Sequence, residues 1–128
     1  MTTEYQSART VMREIIFYQT DFGDKPVEDF LAELDPPTRA KVVRTLELVR
    51  TQPVVPSKFW QKMQGTGHLW EMRVEYAGNI FRIFACTAKG NRVILLHGVQ
   101  KKSQKTRLKD LEIAEQRMKR YFQRHGYL

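Results

Sequence analysis

Two arginines, three lysines and a histidine in the second half of the chain have the chemistry to hold a phosphate and act on it. Arg73 lies in LWEMRVEY, Arg82 in NIFRIFAC, and VILLHGVQKKSQKT carries His97, Lys101, Lys102 and Lys105. Arginine forks match phosphate oxygens two at a time, and lysines add point charges. Because the guanidinium charge is permanent, it suits the negative charge that builds during phosphoryl transfer. His97 titrates near neutrality, which makes it a candidate base or acid, and a lysine of the cluster is the alternative. Each set also has a plainer reading. Arg73 and Arg82 can pair with Glu71 and Glu75 in a cross-strand charge ladder, and His97 can be a hydrogen-bonded histidine at a strand end.

Strands must carry these residues. Leu69 to Tyr76, Ile80 to Cys86 and Arg92 to Val99 are rich in β-branched and aromatic residues and are separated by turn signals at Gly78-Asn79 and Lys89-Gly90-Asn91, which predicts an antiparallel meander. With Gly78-Asn79 as a two-residue turn, Tyr76 pairs with Phe81, Val74 with Ile83 and Met72 with Ala85 on a wholly apolar face. Glu71, Arg73, Glu75 and Arg82 then share the opposite face, with Glu75 across from Arg82 and Arg73 diagonal to it, both arginines projecting into a cationic concavity. His97 joins that face if the next loop has two or four residues; a three-residue loop sends it to the core.

Upstream, EIIFYQT (14–20) predicts a first strand. A helix follows with Asp24 as N-cap and Val27, Phe30, Leu31 and Leu34 on one face. A second begins at Asp35-Pro36-Pro37, shows Val42, Leu46 and Val49 at helical spacing and ends at Thr51 before Pro53. Lys58 to Gly67 reads as a loop. From Thr106 as N-cap, Leu108, Leu111, Ala114, Met118 and Tyr121 mark a last helix to about Arg124, with Lys109, Arg117, Lys119, Arg120 and Arg124 on its solvent face. The order is β-α-α-β-β-β-α, an α+β fold with a meander sheet packed on helices. At 128 residues one domain is expected over 1–128, with 1–13 a flexible or extra segment.

Composition narrows the partners. The net charge is +8, yet residues 1–35 hold three basic against eight acidic side chains, leaving nineteen against six in the rest. A field so placed favours a polyanion. No long apolar run predicts a membrane span, MTTEYQSARTVMREIIFYQT has no signal-peptide core, and a single cysteine, Cys86, predicts a reducing cytoplasm. His68, His97 and His125 lack metal-ligand spacing, so neither metal nor cofactor is expected. There is no glycine-rich phosphate loop and no G-x-S-x-G elbow. Trp60 and Trp70 read as packing residues, and Cys86 as a small hydrophobe.

LWEMRVEYAGNIFRIFACTAKGNRVILLHGVQKKSQKT followed by LKDLEIAEQRMKRYF resembles the HigB-like branch of the RelE/ParE toxin superfamily, including its phage-derived members. The likeness spans about residues 15 to 122 and is most specific in HG-x-x-KK-[ST]-x-K. It implies a small α+β toxin of a type II toxin–antitoxin pair, a ribosome-dependent, metal-independent endoribonuclease that cleaves translated mRNA. The implied partners are the ribosome, mRNA and an antitoxin with a helix-turn-helix domain, with operator DNA reached only through the antitoxin complex. Carried over, Arg73, Arg82, His97 and Lys102 are the catalytic candidates, and Lys101, Lys102, Gln104, Lys105 and Arg107 the RNA-binding set. The chain departs from the family in lacking the expected tyrosine after the last helix, a place for which Tyr121 and Tyr127 are candidates. Some superfamily members instead poison DNA gyrase by protein binding, and a non-catalytic nucleic-acid-binding module is a third possibility.

Overall fold

The computed structural model describes residues 12–66, 68–101 and 107–126. Its elements are β1 (Glu14–Phe17), α1 (Pro26–Ala32), α2 (Pro36–Thr51), β2 (Trp60–Lys62), β3 (Leu69–Tyr76), β4 (Asn79–Ala88), β5 (Arg92–Lys101) and α3 (Leu108–His125). The α+β class and the meander of β3, β4 and β5 are as expected. The sheet, ordered β1-β5-β4-β3-β2, extends the meander at both edges. β1 lies parallel to β5, and the three residues of β2, inside the segment read as a loop, pair antiparallel with β3.

Helices cover both faces. Val27 and Leu31 of α1 and Val42, Leu46 and Val49 of α2 pack on Met72, Val74, Phe81, Ile83, Val93 and Leu95. On the other face Ala114, Met118, Tyr121 and Phe122 of α3 pack on Leu69, Phe84, Cys86, Ile94 and Leu96. β4 is therefore central and buried from Ile80 to Cys86, which explains why its sequence is a continuous apolar run rather than an alternation. Arg82 is the one charge in that run.

Side-chain forks close the helix ends. Arg13 donates to the carbonyls of Val49 in the last turn of α2 and of Gln52 and Pro53 just beyond it, and Arg39 donates to those of Leu31 and Ala32 at the end of α1 and of Leu34 after it. These bonds satisfy acceptors that a helix C-terminus leaves unpaired. The expected N-cap Asp24 lies one residue too early, since Lys25 occupies that position; Thr106 falls outside the described residues.

Two connections differ from expectation, and both bear on the site. The β3–β4 turn is Ala77-Gly78, at φ +53° and +79°, not Gly78-Asn79. Asn79 instead opens β4 and its side-chain amide donates to the Ala77 carbonyl. Moving a turn by one residue shifts every pair by two, so both faces survive: Val74 faces Phe81, Met72 faces Ile83, and Arg73 lies directly opposite Arg82. The β4–β5 loop, Lys89-Gly90-Asn91, has three residues. That length would have turned His97 to the core, but an extra residue restores the parity. Ala85 pairs with Leu95 while Phe84 pairs with His97, so Leu96 is a β-bulge and His97 emerges on the face of Arg82.

Candidate functional site

The site is built on that face, from β3 to β5 and up against the first turns of α3. Arg82 does not project into an open concavity: its side chain is 2% exposed, with Nε 3.0 Å from Oε2 of Glu71. That approach is an ion pair without hydrogen-bond alignment at Nε. Arg73, opposite it, is 25% exposed and grips Oε2 of Glu75 at 2.6 Å. Both arginines thus have glutamate partners, as the charge-ladder reading held, but with the partners exchanged: Glu75 pairs along its own strand and Glu71 diagonally across to β4. Ser57, Lys58 and Gln61 join Glu71, Arg73 and Glu75 around a cleft of about 250 Å³ at the β2 side.

On the β5 side the residues converge on one carboxylate. Asp110, in the first turn of α3, is buried, and its Oδ1 lies 3.0 Å from His97 Nε2. Its Oδ2 lies 3.3 Å from Lys101 Nζ and 3.2 Å from Arg107 Nε. A carboxylate only accepts, so Nε2 carries the histidine proton and Nδ1 the lone pair. Arg117 of α3 donates from Nη1 to the Leu96 carbonyl at 2.8 Å and, at 3.5 Å, reaches Nδ1. The imidazole stacks on Phe84.

Electrostatics follow from this packing. Burial alone would raise the Asp110 carboxyl, but hydrogen bonds from His97, Arg107 and Lys101 outweigh it and hold the group at about 2. Burial pushes His97 below its ordinary value. The bond to Asp110 pulls upward, and Arg117 and Arg107 reinforce the lowering. His97 is therefore neutral at physiological pH. Cys86, buried on the same sheet, is pushed up to about 12 by burial and has no nucleophilic role.

Arg73, Arg82, His97, Lys101 and Arg107 thus share one face, with Arg107 68% exposed at its rim. Lys102, Gln104 and Lys105 lie outside the described residues. Asp110 and Arg117 were not foreseen. The last helix was expected to bury Leu108, which is exposed, whereas Asp110 is buried and Arg117 turns inward from the expected solvent face. The signal was present: Asp110, Ala114 and Arg117 stand at helical spacing on the face that holds Met118 and Tyr121. Trp60 packs in the core and stacks on the partly buried Trp70. Tyr121 lies in the α3 core, while Tyr127 falls outside the described residues.

Among the described residues no helix is long and apolar enough to cross a membrane, and no group of three His, Cys, Asp or Glu is placed to hold a metal ion. A model of the family described as phage derived protein Gp49-like (DUF891) matches residues 29–119. None of the curated proteins matches the chain.

Proposed function

The chain belongs to the phage-derived Gp49-like family, a RelE/HigB-like toxin family of toxin–antitoxin systems, and from that premise we propose that it is a toxin that cleaves mRNA on the translating ribosome. The observation that carries this reading is the set of cations gathered on one sheet face, solvent-accessible at its rim through Arg73 and Arg107. It runs from Lys58 and Arg73 over the buried Arg82 and Lys101 to Arg107, with the neutral His97 beside them. Such a track suits a single strand of RNA threaded along its phosphates.

Metal-independent cleavage needs three things. The 2′-hydroxyl loses its proton as its oxygen bonds to phosphorus, the five-coordinate phosphate is stabilised, and the P–O5′ bond breaks as O5′ takes up a proton. The products are a 2′,3′-cyclic phosphate and a 5′-hydroxyl. His97, neutral and with its lone pair on Nδ1, is the proposed proton acceptor, and Lys102 the donor. Arg73 has the solvent access to touch the phosphate, while Arg82 supplies charge from beneath it. Lys101, Lys102, Gln104, Lys105 and Arg107 form the proposed RNA-binding set. The antitoxin, with a helix-turn-helix domain of its own, would cover this face or make the complex too bulky for the decoding site.

Pulse labelling after induction without antitoxin tests the reading. Methionine incorporation should stop before thymidine incorporation does. If DNA synthesis stops first and gyrase-linked breaks accumulate, the target is gyrase; if neither stops, the basic face only docks.

A further inference from the structure

We propose that Asp110 is the positioning residue of this site: it fixes the His97 ring and anchors both Lys101 and Arg107, the residues that bracket the basic segment, so that proton acceptor and RNA-binding cations are presented as one unit. The inference rests on the RNA-cleavage reading for its kinetic consequences and on geometry alone for the rest.

Three donors, two from β5 and one from the residue before α3, meet at this one carboxylate. His97 and Lys101 come from β5, Arg107 precedes α3, and Asp110 stands in the first turn of α3, where the helix dipole favours an anion. A buried carboxylate is costly unless every lone-pair direction is used. Here Oδ1 takes the histidine and Oδ2 takes both cations, which leaves Asp110 wholly committed to the site's own residues. Charged groups facing the imidazole are Asp110, Arg107 and Arg117; Phe84 stacks on it and leaves the ring no other acidic partner among the described residues. Arg117 gives its short bond to the Leu96 carbonyl and only the long one to Nδ1. Nδ1 thus carries the ring's lone pair and meets only that long Arg117 contact, which must give way when a proton is taken up, and Asp110 is what keeps the ring aimed.

Asp110→Asn keeps the shape and removes the charge, and Asp110→Glu restores the charge at a longer reach. On programmed ribosomes Asp110→Asn should lower the single-turnover cleavage rate at least tenfold. Binding of a single-stranded RNA oligonucleotide should be retained or tightened, because Lys101 and Arg107 lose a neutralising partner, and its log–log salt slope should steepen by about one. Asp110→Glu should recover part of the rate. In nuclear magnetic resonance titration, His97 should protonate at lower pH in Asp110→Asn than in the wild type. Parallel loss of rate and RNA binding, or wild-type cleavage by Asp110→Asn, would overturn the inference. Should the wild type cleave no RNA at all, the nuclease reading fails. The salt slope and the His97 titration would still decide whether Asp110 positions these groups, and unchanged values of both would reject it.

Discussion

Removing Arg82 alone should come close to unfolding the protein. Arg82→Ala strands the Glu71 carboxylate, itself 8% exposed, in the middle of a sheet covered on both faces. Breaking one side of a buried ion pair costs about 3–5 kcal/mol, and the void left by a long side chain adds to it. Total stability for a domain of this size is about 5–15 kcal/mol. Removing both charges, in Arg82→Met with Glu71→Leu, leaves no stranded ion and should be neutral or stabilising, by up to about 4 kcal/mol. Urea unfolding followed by circular dichroism measures both. A loss below about 1 kcal/mol for Arg82→Ala, or a double variant as unstable as the single, would refute the burial argument. The folded double variant also isolates the catalytic part of Arg82: its cleavage rate should fall on the order of a hundredfold.

Three further outcomes are expected. Asp110 sits below its unfolded value, so its contribution of about 2 kcal/mol is present above about pH 4 and lost as pH falls through about 2; urea midpoints across that window should fall more in the wild type than in Asp110→Asn. His97, also lowered, makes stability rise with pH as pH approaches 6.5 from below, a slope that His97→Gln should remove. Gly98→Ala would set a Cβ 2.6 Å from the Phe30 ring, so it should cost about 1–3 kcal/mol in thermal or urea unfolding and be relieved by pairing with Phe30→Leu.

That glycine accounts for half of the His-Gly motif: α1 crosses β5 so closely that no side chain fits at position 98. Apolar alternation told which face each residue of β3 occupies, and a two-residue turn carried that parity into β4, because one-residue errors of parity would expose a whole core. It could not tell which residues pair, because shifting the turn from Gly78-Asn79 to Ala77-Gly78 keeps both faces apolar and polar as before. His97 reaches the face of Arg82 only because a bulge at Leu96 compensates the three-residue loop, and nothing in VILLHGVQ marks an extra residue. β2 escaped notice because three residues show no period, and the pairing of Trp60 with Met72 is decided by long-range packing. Asp110 was hidden by its type: an aspartate reads as solvent-facing until β5 brings His97 and Lys101 beneath it.

If the cationic sheet face cuts RNA in the ribosome, as proposed, Arg73 is the arginine there that can be removed without stranding a buried charge. Single-turnover cleavage of a defined mRNA on programmed ribosomes, wild type against Arg73→Ala with matched circular dichroism, tests that proposal most directly. The wild type should produce 5′-hydroxyl fragments, and the variant should do so at least tenfold more slowly with its fold intact. Equal rates would remove Arg73 from the site, and no cleavage by the wild type would contradict the nuclease reading itself.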